Sequence, residues 1–334
     1  MASELRVDPT GVPVRRIAVL RALQLGDLLC SVPALRALRR AAPEAEVTLI
    51  GLPWARELVD RFDQYLDLFL ELPGFPGLPE RPFDARGFPE FLARAHGHAF
   101  DLVLQLHGSG ESSNVLAVLL GGRRTAGFYR PGAYRPDGET FVPYPDDLPE
   151  PRRPLRLLEA LGAGAADDAL EFPLREADRR SLAALRRRHG IDRPYAVVHA
   201  GARSARAWSP ENFAAVADAL ARKGLSVVLT GTDAERSVTG AVAGAMTAAA
   251  VDLAGETTLG TLGALLADSH LVVCNDTGVS HLAAAVRVPS VVIFTTSDAR
   301  RWAPLDVRRH RAVREAVART DTVLGEAEEA LRAG

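Results

Sequence analysis

Short apolar runs, each the length of a strand, alternate with longer segments of helical period along most of this chain. In the first half the runs are IAVLR, VTLIG, DLFLEL, DLVLQLHG and RTAGFY, with helix-period segments between most of them. Runs that are apolar throughout, rather than alternating, suit strands covered on both faces, as in a parallel sheet with crossover helices. From Pro131 to Pro154 the period disappears into PGAYRPDGETFVPYPDDLPEPRRP, which predicts a long surface loop. Two helical segments follow, PLRLLEALGAG and EADRRSLAALRRRHG, and lead to a junction at IDRP. A second series of runs then begins: YAVVHAG, SVVLTGT, VDLAG, LVVCN and SVVIFTT, separated by PENFAAVADALARKG, DAERSVTGAVAGAM, LGTLGALLADS and VSHLAAAVR. The pattern predicts two doubly wound, Rossmann-like α/β halves of similar length. The expected boundaries are 1–185 and 186–310, with a closing helical segment over 311–334.

Composition narrows the function classes. The 334 residues are 47% hydrophobic and 25% charged, values of a globular protein long enough for two cores. A formal charge of −2 gives no domain-wide basic excess for nucleic acid. Cys30 and Cys274 sit among apolar neighbours without metal-ligand spacing, which predicts a reducing, cytoplasmic setting and no disulfide framework. The N-terminal MASELRVDPTGVPVRR lacks the apolar stretch of a signal peptide, and no apolar run reaches membrane-spanning length. No Walker A sequence, no G-x-S-x-G elbow and no H-E-x-x-H spacing is present, so no cofactor or metal is expected.

Open sheets of this kind bind ligands beyond the carboxyl ends of their strands. After LVVC comes NDTGVSHLAA, in which Asp276 or Thr277 can cap a helix starting near Val279. That leaves the amides around Gly278 at a positive helix end that favours phosphate, with His281 on the same face one turn on. An ordinary capped helix with a satisfied histidine has the same spacing. After the first strand, ALQLGD places Asp27 at a helix start, as a first-turn acid or as a general base. After YAVVH, Arg203, Ser204 and Arg206 lie beside a Gly-containing turn, where guanidinium groups can match diphosphate oxygens. After SVVLT, Asp233 and Glu235 stand where an acid can accept from a ribose diol or favour a helix N-terminus. His107 ends another strand.

The segments IAVLRALQLGDLLCSVPALRALRRAAPEAEVTLIG, HAGARSARAWSPENFAAVADALARKGLSVVLTGTDAE and VDLAGETTLGTLGALLADSHLVVCNDTGVSHLAAA together resemble the ADP-heptose:lipopolysaccharide heptosyltransferase family, glycosyltransferase family 9. The resemblance spans about residues 16 to 296 and is carried best by LGD-x-L-x-x-x-P-A-L and D-T-G-x-x-H-L-A-A. It implies a GT-B architecture, two Rossmann-like domains facing across a cleft, with a C-terminal segment that crosses back to the first domain. It further implies an inverting, metal-independent transfer of a sugar, a heptose by analogy, from an ADP-activated donor to a glycan, glycolipid or small-molecule hydroxyl. By the same resemblance Asp27 matches the catalytic base, Arg206 a basic residue at the donor phosphates, Glu235 the acid at the nucleoside, and Asp276, Thr277, Gly278 and His281 the donor-sugar and diphosphate site. Gly201-Ala202-Arg203-Ser204 stands where some relatives carry paired threonines, so Arg203 or Ser204 takes the place of those phosphate contacts. A nucleotide-sugar epimerase and a non-catalytic nucleotide-sugar-binding protein share this architecture. Arg36, Arg39 and Arg40 are candidate contacts with the cytoplasmic membrane face.

Overall fold

The computed structural model describes residues 5, 13–164, 167–191, 194–202 and 207–333. Arg203, Ser204 and Arg206 lie outside the described residues. The chain divides between Asp168 and Ala169 into two compact units. Each unit is built on one six-stranded sheet.

The first sheet comprises β1 (Arg16–Leu20), β2 (Glu46–Gly51), β3 (Leu68–Glu71), β4 (Leu102–Gln105), β5 (Arg124–Tyr129) and β6 (Phe141–Pro143), in the order β3-β2-β1-β4-β5-β6. The second comprises β7 (Tyr195–His199), β8 (Ser226–Leu229), β9 (Ala250–Asp252), β10 (Leu271–Asn275), β11 (Ser290–Phe294) and β12 (His310–Arg314), in the order β12-β11-β10-β7-β8-β9. All pairings are parallel. Read from its own first strand, each sheet has the doubly wound order 3-2-1-4-5-6. The fold is α/β, with the paired Rossmann-like domains of the GT-B architecture. The order reverses between β1 and β4 in the first sheet and between β7 and β10 in the second. The carboxyl ends of those four strands are therefore where ligand chemistry is to be sought.

The central strands are apolar because helices cover both faces: β4, β7, β10 and β11 are buried at every position. Local signals set the helix limits. Ser209 accepts from Asn212 N ahead of Pro210, and Thr258 accepts from Thr261 N at the start of Leu259–Asp268. Gly190, at φ 64°, ends the helix Glu176–His189 in the left-handed conformation that suits glycine.

Three expectations are corrected. The Pro131–Pro154 stretch is not wholly loop: it holds the edge strand β6 and the start of the helix Arg152–Ala160. A three-residue strand ending in proline leaves too short a run to read as periodic. The boundary expected at 185/186 falls inside the helix Glu176–His189, whose Leu182 and Leu185 are buried and whose Arg186 bonds Asp268 at 2.7 Å. That helix opens the second unit. The closing segment does not belong with the first unit: in the helix Thr320–Ala333, Val323 and Ala327 join the second unit's core with Ala196, Phe213 and Ile293. Trp208 Nε1 donates to Ala318 O at 3.2 Å just before this helix. Burying one valine stabilises by about 1.5–3 kcal/mol, so the segment is held where its apolar face is covered. Among the described residues no helix is long and apolar enough to cross a membrane.

Candidate functional site

In the first unit, Asp27 is the third residue of the short helix Leu25–Leu29 that follows β1. Its Oδ2 accepts from Gln24 N at 3.3 Å, the first-turn role anticipated for it. Its side chain is 21% exposed, so the carboxylate is held by the backbone and still reaches solvent. Arg21, the residue after β1, is buried against it: Arg21 Nε and Nη2 donate to the Asp27 main-chain oxygen at 3.2 and 2.8 Å. Burial opposes the Arg21 charge, but the carboxylates of Glu150 and Asp27 outweigh it and raise the guanidinium pKa above its ordinary value. His107, at the end of β4, accepts from Ala22 N through Nδ1 at 3.2 Å, which puts its proton on Nε2, 3.6 Å from Glu80.

In the second unit, β10 ends in Asn275, which ties two strand ends together. Its Nδ2 donates to Ala200 O at 2.9 Å and its Oδ1 accepts from Trp208 N at 3.3 Å. The capping choice left open by the sequence is resolved: Thr277 is the N-cap of the helix Gly278–Ala285, accepting from Val279 N, while Asp276 accepts from Ser297 Oγ. Thr277 and Gly278 thus put first-turn amides at the reversal point of the second sheet. His281 is 3% exposed and stands edge-on to Trp302, ring centres 6.0 Å apart. A separate cavity of about 670 Å³ opens at the ends of β11 and β12, lined by Phe294, Ser297, Asp298, Arg300 and Arg314 with their neighbours. That is the size of a small-ligand site. Hydrogen bonds from Arg300 hold the Asp298 carboxyl below the usual range.

Glu235 lies beyond β8. Its Oε2 accepts from Thr232 N at 2.7 Å and Thr232 Oγ1 at 2.9 Å, and a Cβ at Gly201 would collide with its carboxylate. The acid therefore lies over the end of β7. His199, buried there with Nδ1 3.1 Å from Thr230 Oγ1, has its pKa pushed down by burial, against the attraction of Glu235.

The structure brings Glu235 beside the β7 end and places Asp276, Thr277, Gly278 and His281 at the β10 end, with Asp27 at the corresponding end of the first sheet. Sequence reasoning missed Arg21, Glu150, Asn275, His199 and Trp302; a charged residue directly after an apolar run was the available sign of Arg21. The guanidinium of Arg39 bonds Ala45 O, Tyr65 O and Asp67 of its own unit. Among the described residues no group of three His, Cys, Asp or Glu side chains is placed to hold a metal ion.

Two sheets with the same reversed order, each with polar groups at its reversal point, define an α/β protein of the GT-B class. The model of Glycosyltransferase family 9 (heptosyltransferase) matches residues 92–323, and the chain belongs to that family. The matched span includes Glu235 and Asp276 to His281 and begins after Asp27. Lipopolysaccharide heptosyltransferase 3 of Escherichia coli is 35% identical over 119 residues, 34% of this chain and 35% of that protein. The chain thus spans about a third of the length of the curated relatives it matches. Among solved structures, a glycosyl transferase family 9 protein from Veillonella parvula superposes with TM-score 0.81 at 20% identity, covering 97% of this chain and 99% of that one. The E. coli ADP-heptose lps heptosyltransferase II gives TM-score 0.77 at 19% identity over 95% and 98%.

Proposed function

We propose that this protein is an inverting, metal-independent glycosyltransferase that moves a heptose from an ADP-activated donor to a hydroxyl acceptor, a glycan, glycolipid or small molecule, in the cytoplasm. The observation that carries the reading is the Thr277-capped helix at the end of β10, with Glu235 over the neighbouring strand end. In this reading Glu235 accepts from the ribose, and the amides near Thr277 and Gly278 face the diphosphate with His281, Arg203, Ser204 and Arg206. Asp27 takes the proton of the acceptor hydroxyl as its oxygen attacks the anomeric carbon from the face opposite the diphosphate. One C–O bond forms, the bond to ADP breaks, and ADP leaves with the electron pair. Amides and guanidinium groups then stabilise the charge that develops on the leaving group. The lipopolysaccharide and ADP-heptose in the relatives' names support this donor and acceptor class.

The test is a thermal-shift panel of ADP, GDP, UDP, CDP and dTDP on the wild type and Arg206→Ala. A ligand bound only by the folded state stabilises it by about 2.7 kcal/mol at 100 times its Kd. Selective stabilisation by ADP, lost in the variant, is expected; stabilisation by another nucleotide alone reassigns the donor, and silence to all five removes the site. Sugar transfer undiminished by a chelator is expected for the metal-independent reading.

A further inference from the structure

Asp27 is held by a buried ion network whose members come from distant parts of the chain. Arg21 is 2% exposed, and its guanidinium donates to Leu106 O, to the Asp27 main-chain oxygen and, at 3.0 Å, to Glu150 Oε1. The same Nη2 stands 3.8 Å from Asp27 Oδ1. Glu150, also 2% exposed, turns its other oxygen to Arg153, 3.7 Å from Nε. Arg153 is fixed in turn by Tyr144 Oη at 2.7 Å and by the main-chain oxygens of Leu148 and Asp146. Around Arg21 the charged and titratable groups among the described residues are Asp27, Glu150 and Cys30, with Arg153 and Tyr144 behind Glu150 and His107 at the adjoining strand end.

The arrangement sets two requirements against each other. Arg21 grips the helix turn that carries Asp27, yet a cation 3.8 Å from a carboxylate makes that carboxylate a weaker base. A general base works best when its proton affinity is not driven far below the working pH. A second carboxylate on the far side of the guanidinium relieves the conflict, because it offsets the charge without loosening the grip.

We infer that Glu150 is a positioning residue that, through Arg21, sets the proton affinity of Asp27. The inference rests on the reading of Asp27 as the base. It also gives the proline-rich stretch around Glu150 a task in the reaction: delivering a buried carboxylate to the back of the β1 turn.

The experiment titrates the full chain labelled with carboxyl-¹³C aspartate, the Asp27 resonance being assigned by its loss in Asp27→Asn. In Glu150→Gln the Asp27 midpoint is expected to fall by about one pH unit, as removal of a nearby negative charge requires, and to recover in Glu150→Asp. An unchanged or raised midpoint overturns the inference. Should Glu150→Gln fail to fold, Arg21→Met/Glu150→Leu removes both charges and predicts the opposite sign, a raised midpoint, with no change overturning it. In parallel, ADP release from ADP-heptose with water as acceptor is followed against pH. Its acidic limb is expected to move down with the titration in Glu150→Gln, with kcat lowered several-fold and KM little changed. Undiminished ADP release by Asp27→Asn would remove the base reading alone, since the titration reports the network independently of turnover.

Discussion

Gly201 and Glu235 are 34 positions apart and cannot be understood separately. The acid lies over the end of β7 because residue 201 has no side chain to meet it. Gly201→Ala should displace the carboxylate and raise the Kd for ADP several-fold, measured by calorimetry, while the unfolding midpoint stays near that of the wild type. For Asp27→Asn the expected outcome is a loss of about 100- to 10,000-fold in turnover with ADP affinity retained. Full turnover in that variant would take Asp27 out of the reaction. Asp27 and Thr277 were legible because each follows an apolar run at a helix start, where a capping or acidic residue announces itself. Glu150 and Trp302 were not. Glu150 reaches Arg21 across 129 positions, and such an encounter leaves no period in the sequence.

At the scale of elements, ten of the twelve strands were legible as apolar runs, the edge strands β3 and β9 among them, and β6 and β12 were not. Only apolar runs mark a strand without its neighbours, and β12 reads HRAVR, with alternate positions exposed at the sheet edge. What holds that strand is partly polar: His310 lies opposite Ser290 in register, with Nδ1 2.9 Å from the serine hydroxyl. Burial pushes the His310 pKa down to about 4, while an unfolded histidine titrates near 6.5. As pH falls through that window the unfolded chain takes up a proton that the folded chain refuses, so stability is lost progressively between about pH 6.5 and 4, by roughly 3 kcal/mol in full. Urea unfolding against pH should show this slope in the wild type and a shallower one in His310→Gln. The helix after β10 makes a separate prediction. Thr277→Ala removes the hydroxyl that accepts from Val279 N, and should lower stability by about 1 kcal/mol while weakening ADP binding.

Over the whole molecule, the repeated strand pattern predicted two doubly wound halves, and two were found. Their border was misplaced because it falls in the connection between the helices Arg152–Ala160 and Glu176–His189, which carries no period of its own, and not at the junction before the second series of runs. The final helix shows the same limit, since its amphipathic period says that one face is buried but not against what. Ending the chain at Arg319 uncovers the second half's core where Val323, Ala327 and Ala330 now lie. The shortened protein should lose at least about 3 kcal/mol from the unfolding of residues 169–319, with the first half's transition unmoved. Limited proteolysis followed by mass mapping would locate the opened segment.

Because the closing helix is spent within the second half, that half is a continuous cassette running from Ala169 onward. Homologous recombination between relatives then needs a single crossover, at the junction of Asp168 and Ala169. A chimaera made at 185/186 would instead cut the helix Glu176–His189 in two and pair half of it with a stranger's Asp268. Shuffled libraries cut at these two seams should differ sharply in soluble yield, with the higher yield at the junction of Asp168 and Ala169.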